Sequence, residues 1–297
     1  MKTNQPTYRN YYWRHKLIGF FRNIDLPGFR KVSLFLPKIL LPKASRVEPH
    51  FILTQDKLKV WIDPAKDTGV ERSLYETGTY EKGTLAFIKQ HLKPGDTFID
   101  VGANIGLMSL FASKVVGDGG SAWSFEGHPD TFKILERNAE ENEIQNCHLF
   151  LCGIGEVESE MDLYLDPTDN RGASSAVRKN ETTLPVKMKI LPLDSIVEQH
   201  SLSPTMIKID VEGMELEVIK GARQTIEKHR PFLIVEFGQN TQVLKEKNSE
   251  LYTLLTQFKG YRFYRLKSSK ERTSGWIEIN SFDELPSDDN VFALPNN

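Results

Sequence analysis

Phe98-Ile99-Asp100-Val101-Gly102-Ala103-Asn104-Ile105-Gly106 is the stretch on which the reading of this chain turns. An apolar run ends in an acid, passes two glycines and an asparagine, and enters an apolar-periodic segment with Leu107, Leu110, Phe111 and Val115. The pattern predicts a buried strand, a tight turn and a helix: the first βα unit of a doubly wound α/β domain. Ligands in such folds bind outside the carboxyl ends of the strands, so this turn is the first candidate for a site.

Downstream the alternation continues. Strand 96–101 and helix 105–116 precede strand 121–126, helix 129–142 and strand 147–151. Residues 153–192 break the rhythm and read as an inserted hairpin, strands 161–165 and 185–191. Its polar loop carries Arg171-Gly172-Ala173-Ser174-Ser175. Helix 193–200, strand 205–210, helix 215–228, strand 231–237, helix 243–258 and strands 261–266 and 290–294 follow. Such alternation implies a mostly parallel sheet covered on both faces. No helix separates the last two strands, so an antiparallel hairpin is expected at the sheet's edge. Upstream, 51–54 and 58–62 flank Gln55-Asp56-Lys57 as a β-hairpin. Residues 71–92 read as helix interrupted at Gly78 and Gly83. The predicted organisation is an extension over 1–50, a hairpin and helical lead-in over 51–92, and the α/β domain over 93–297.

The 297 residues are 39% hydrophobic and 26% charged, ordinary for a globular protein, and the net charge is −2. Its distribution is uneven. Residues 1–47 hold ten Lys and Arg against one acid, Asp25, while the other 250 hold 28 basic and 39 acidic residues. A basic head on an acidic body points to an anionic partner for the head, or to docking on its own body. The head is rich in aromatics and cut by Pro27, Pro37 and Pro42, so contact with a membrane surface and packing on the core or on a second subunit both remain open. No stretch is long and apolar enough to span a bilayer. Cys147 and Cys152, five positions apart in or beside one strand, are expected to face opposite sides and stay reduced, which predicts a cytoplasmic setting.

A dinucleotide turn needs glycine at i, i+2 and i+5. From Gly102 those positions are Gly102, Asn104 and Leu107, so the spacing fails, and no Gly-Lys-Ser/Thr phosphate loop is present. S-adenosylmethionine makes different demands. Gly102 and Gly106 would let backbone approach its methionine and ribose parts, and Asn104 tolerates positive φ. Asp100 suits the cationic amino group. Glu126, closing the second strand, could accept both ribose hydroxyls.

Four motifs in order, Asp100 to Gly106, Phe125-Glu126, Leu193-Asp194-Ser195-Ile196, and Ile207 to Gly213 with Glu217 to Ala222, resemble the FkbM family of S-adenosylmethionine-dependent methyltransferases. One departure is Gly127-His128-Pro129, where the family more often shows a Pro-Asn-Pro-like turn. The resemblance implies a Rossmann-like class I methyltransferase fold, a seven-stranded, mostly parallel sheet with an antiparallel last strand. It also implies methyl transfer to a hydroxyl of a sugar or other small metabolite. Cys152-Gly153 follows the third strand, and the resemblance implies an adenine contact there.

A hydroxyl acceptor has a proton to lose, and a positioned base adds about 10²–10⁴-fold. Asp210, Glu212 and Glu236, at the ends of the middle strands, are the candidate catalytic acids. Asp210 or Glu212 could take the proton directly, or Asp210 and Glu236 could hold a divalent metal, the less favoured reading. Glu212 could instead cap the next helix. Lys208 shares Asp210's side of the strand and needs a carboxylate partner if buried. The acidic body, and the lack of an Asn/Asp-Pro-Pro-Tyr motif after the fourth strand, speak against nucleic acid. A catalytically silent, membrane- or assembly-bound protein of the same fold is the competing function, and homo-oligomerisation is a further expectation.

Overall fold

The computed structural model describes residues 11–22, 29–163, 186–238 and 242–296. The Arg171–Ser175 segment lies outside them. Two helices, α1 (Tyr12–Arg22) and α2 (Phe29–Leu40), open the described chain. The hairpin β1 (His50–Leu53) and β2 (Lys59–Ile62) follows, then α3 (Val70–Thr77) and α4 (Lys82–His91). Gly78 ends α3 in the left-handed region, as its sequence position suggested. Gly83 does not interrupt: it sits inside α4, where a Cβ would overlap the Leu266 side chain, and its N–H donates to the Lys270 carbonyl at 2.7 Å. It is glycine for close packing rather than for a helix break.

The doubly wound part comprises β3 (Thr97–Val101), α5 (Leu107–Val116), β4 (Ser121–Glu126), α6 (Pro129–Glu141) and β5 (Cys147–Leu151). It continues through β9 (Met206–Ile209), α8 (Glu215–Gly221), α9 (Arg223–His229), β10 (Phe232–Gly238), α10 (Gln242–Gln257), β11 (Tyr261–Leu266), β12 (Trp276–Ile279) and β13 (Asp288–Pro295). These strands form one eight-stranded sheet in the order β12-β11-β13-β10-β9-β3-β4-β5. The run from β5 to β10 is parallel, and β13 pairs antiparallel with both β10 and β11. Seven strands in this arrangement are the class I pattern. The eighth, β12, adds an antiparallel edge to β11. The last strand is thus antiparallel as expected, but it inserts between β10 and β11 instead of forming the edge. One predicted helix, 215–228, is two: α8 stops at Gly221, whose Cβ would overlap the Gly155 carbonyl, and α9 restarts under a cap from Asp194. Asp194 accepts the Gln224 and Thr225 N–H groups at 3.0 and 2.8 Å, which gives the acid of the Leu-Asp-Ser-Ile motif a structural task.

The insertion is a separate three-stranded sheet, β6 (Gly153–Ile154), β7 (Ser159–Leu163) and β8 (Val186–Leu191), in the order β6-β8-β7. The helix α7 (Leu193–Gln199) returns the chain to β9.

Strand alternation divides the core. Phe98, Met206, Ile234 and Phe292 join the apolar cluster under α4 and α5, which also takes in Ile18, Ile52 and Leu74. Ile99, Ile207, Ile209 and Val235 join the cluster on the other face, with Leu216, Ile219 and Leu251. Two positions beyond Phe98, Met206 and Ile234 come Asp100, Lys208 and Glu236, on the same face. Each strand therefore carries an apolar residue in depth and a charged one towards its carboxyl end.

Candidate active site

The turn after β3 holds three left-handed residues, Gly102, Asn104 and Gly106, with φ of 82°, 51° and 90°. Gly102 presses on the carbonyl of Asp210, which a Cβ would overlap, and Gly106 presses on Leu135 of α6. The close approaches these glycines permit are to the protein's own chain. Gly102 and Ala103 each donate an N–H to the Phe125 carbonyl at 2.9 Å. The next N–H, of Asn104, goes to Glu126 Oε2 at 2.9 Å, and Glu126 Oε1 accepts the His128 N–H at 2.8 Å. His128 itself caps α6, with Nδ1 accepting from Asp130 and Thr131.

One cavity at the carboxyl ends of the strands is lined by Asp100, Gly102, Asn104, Glu126, Cys152, Asp210, Glu212 and Glu236. Of the nine candidate catalytic and cofactor-binding residues, only Gly106 does not line it. Asp100 is fully buried and accepts from Ser109 of α5 through Oδ2, while Oδ1 has no hydrogen-bond partner among the described residues. Burial raises its pKa against the pull of Lys208. Burial also pushes Glu126 up to about 7, although the His128 and Asn104 N–H groups pull it down. Burial moves the Cys152 thiol up to about 11, so it presents a neutral group to the cavity. Cys147 lies elsewhere, with Sγ 3.3 Å from Ser124 Oγ, and both cysteines are free.

Opposite the turn lies a buried charged network. Lys208 Nζ pairs with Asp210 Oδ2 at 2.8 Å, the carboxylate partner its position demanded. Lys270, in the segment between β11 and β12, bonds both Glu236 and Glu81, the latter at 3.0 Å. Glu81 Oε2 also accepts from Asn290 Nδ2 at 3.1 Å. Burial alone would raise the Asp210 carboxyl, but Lys208, Glu236 and Lys270 outweigh it and hold it well below the usual carboxylate range. Burial and the Asp210 charge push Glu236 the other way, well above that range. Burial opposes charging of Lys208 and Lys270, but the surrounding acids keep both ammonium groups protonated. Asp210, Glu236 and Glu81 surround the two lysines, and such pairing is the condition for burying a charged network.

Asp210, Glu212 and Glu236 bring one carboxylate oxygen each within 4.8 Å of the others. Two of the three already hold lysine ammonium groups. Glu212 is exposed, at φ 53°, on the cavity rim. Glu215 Oε1 accepts the Val211 and Gly213 N–H groups on either side of it, at 3.3 and 3.1 Å.

Sequence reading missed Tyr80, Glu81 and Lys270 in the cavity wall, along with Leu163, Met188, Ile190 and Met214. Glu81 carried no motif. Lys270 lay in a segment with no periodicity, and only a fold that inserts β13 beside β10 brings it over Glu236.

Residues 100–263 match the family model of the methyltransferase FkbM domain. The chain belongs to the FkbM methyltransferase family. Its cofactor is therefore S-adenosylmethionine, and the cavity fits it: Asp100 offers a buried acceptor atom with no partner among the described residues, and both Glu126 oxygens are fixed by backbone donors beside the glycine turn. The chain is 29% identical over 157 residues to the hexuronic acid methyltransferase AglP of Haloferax volcanii, covering 52% of this chain and 62% of that protein. It is 27% identical over 148 residues to methyltransferase 1 of Beauveria bassiana, covering 43% and 59%. It thus spans about three fifths of the length of these two relatives. Among solved structures it is similar to the FkbM methyltransferase of Methylobacillus flagellatus KT, at 18% identity and a TM-score of 0.43 over 74% of this chain and 52% of that one.

Proposed function

We propose that this FkbM-family chain methylates a hydroxyl group on a sugar or other small metabolite. The observation that carries the reading is the position of Asp210. Its ionised carboxylate, fixed by Lys208, lines the same cavity as Glu126 and the glycine turn. Bound S-adenosylmethionine supplies an electrophilic methyl on a sulfonium, which leaves as a neutral thioether. Glu126 would hold the ribose hydroxyls, Asp100 the amino group, and Cys152 would border the adenine. Gly102 and Asn104 would shape the wall against the methionine part, with Gly106 supporting the turn from behind.

Asp210 would accept a hydrogen bond from the acceptor hydroxyl and take its proton. A carboxylate with depressed basicity suffices, because a hydroxyl oxygen that is gaining a carbon becomes a strong acid. Glu236, beside Asp210 and bonded to Lys270, would keep that carboxylate oriented. Most of the rate would come from alignment, worth up to about 7–11 kcal/mol. Glu212, at the rim, is placed to touch the acceptor. A metal is not required, since Lys208 and Lys270 already neutralise the acids.

The Haloferax relative is named for hexuronic acids, so these head the acceptors to test. The experiment incubates the protein with methyl-labelled cofactor and hexuronic acid glycosides and locates the label by mass spectrometry and NMR. Label on a hydroxyl oxygen supports the reading. Cofactor binding with label on nitrogen or carbon, or full turnover by Asp210→Asn, overturns it.

A further inference from the structure

The basic head has no part in the cavity, yet its two helices are built unevenly. Tyr11, His15 and Ile18 face the body. His15 Nε2 lies 2.7 Å from the Tyr75 carbonyl, Ile18 is fully buried, and Gln55 bonds the carbonyls of both His15 and Thr77. These contacts fix the rotation of α1. Half a turn away, Trp13, Leu17 and Phe20 stand 78%, 45% and 63% exposed. On α2, Phe35 and Ile39 are 60% and 76% exposed. Eight large apolar side chains are exposed among the described residues, and five of them are these. Single exposed apolar residues need no explanation, but a cluster confined to one segment does.

The two stripes share a pattern. An aromatic is followed three positions later by a lysine and then an aliphatic: Trp13, Lys16, Leu17 and Phe35, Lys38, Ile39. Lys16 and Lys38 lie over the Tyr12 and Phe35 rings, at 5.1 and 5.3 Å. Arg14 Nη1 donates to the Leu40 carbonyl at 2.9 Å, joining the helices next to Trp13 and Ile39. Arg14, Lys16, Lys38, Lys43 and Arg46 are all exposed, and residues 11–22 and 29–47 contain no acid.

We infer that this face docks on an anionic membrane surface. Aromatic and aliphatic side chains would enter the headgroup boundary while lysines beside them meet lipid phosphates, the arrangement of an interfacial helix. A second copy is a poor occupant. A two-fold interface brings the same patch together twice, here two heads each with ten basic residues against one acid. The docked head rests on α3, whose first residue, Val70, lines the cavity. The inference does not depend on which acceptor is methylated.

The test is flotation of the full chain with phosphatidylcholine vesicles, with and without phosphatidylglycerol, beside light scattering for oligomeric state. The expected result is flotation with the anionic vesicles only, weakened by salt. Lys16→Glu/Lys38→Glu should lower partitioning on the order of thirty-fold or more, at roughly 1 kcal/mol per basic residue. Trp13→Ser/Phe35→Ser should lower it as well, with thermal unfolding and cofactor affinity unchanged, because these side chains touch solvent. Absence of flotation, or equal flotation of wild type and both variants, overturns the inference. So does a dimer that Trp13→Ser/Phe35→Ser dissociates with no vesicle binding, which would give the face to a second copy.

Discussion

Glu126 Oε2 accepts the Asn104 N–H at 2.9 Å, so the acid that closes β4 is bonded to the turn that follows β3. The left-handed φ of Asn104, 51°, turns its N–H towards that acid. Both Glu126 oxygens are thus held by backbone donors beside the glycine turn.

Glu126→Gln retains a carbonyl for Asn104 and removes the charge. Charge-assisted bonds contribute about 1.5–3 kcal/mol each. The variant is expected to bind S-adenosylmethionine on the order of ten- to a hundred-fold more weakly by calorimetry, and to lose about 1–3 kcal/mol of stability, because its amide nitrogen cannot accept the His128 N–H. Unaltered affinity would remove Glu126 from the cofactor site.

The pH dependence has a definite sign. The carboxyl titrates near 7 in the folded chain and at 4.5 as a free side chain, so the folded state takes up the proton first. Relative to Glu126→Gln, the ligand-free wild type should gain stability as pH falls from about 7 towards 4.5, and lose that gain as pH rises through about 7. Cofactor affinity should move oppositely, since the ribose needs the ionised form. It should be flat above about 7 and fall below it, and the Gln variant should lack the slope. Isothermal titrations across this range check both statements.

Gly102 and Gly95 both have positive φ, 82° and 95°, but differ in surroundings. A Cβ at Gly95 meets nothing within 4 Å, whereas one at Gly102 overlaps the Asp210 carbonyl. Gly95→Ala should cost only the left-handed penalty, about 1–2 kcal/mol. Gly102→Ala must also displace the backbone that carries Asp210. It should lower the unfolding temperature further and reduce turnover even where the fold survives. Equal effects of the two substitutions would mean the contact between turn and Asp210 is slack.

Half of the site was legible because it is local. Asp100, the glycine turn and Glu126 lie within one βαβ unit, where alternation and turn chemistry act over a few residues. Lys208 and Asp210 are two positions apart, so strand geometry alone paired them. Glu81 and Lys270 were not legible. Glu81 follows a helix break, at φ 45°, and Lys270 follows the sixth strand of the parallel series. Their contact exists only once α4 and the β11–β12 segment pack at the same end of the sheet. Gly83 and Gly106 misled for a related reason: a glycine's need for space is set by what packs against it, Leu266 and Leu135 here, and those neighbours are distant in sequence. The exposed stripes of the head were hidden because Pro27, Pro37 and Pro42 suggested fragments. Instead, α2 runs through Pro37.

Lys208 and Asp210 separate structure from chemistry. Asp210→Asn leaves a buried ammonium without its carboxylate and should cost about 3–5 kcal/mol, together with a turnover loss of about 10²–10⁴-fold if Asp210 takes the proton. Those two effects are confounded in the single variant. Lys208→Met/Asp210→Asn removes the buried charge on both sides, and chemical denaturation should show most of the lost stability restored. Turnover should stay lost, because no group remains at that position to accept the proton. Recovery of turnover along with stability would instead make Asp210 the counter-ion of Lys208, and would pass the base role to Glu212, the other acid at the carboxyl end of β9.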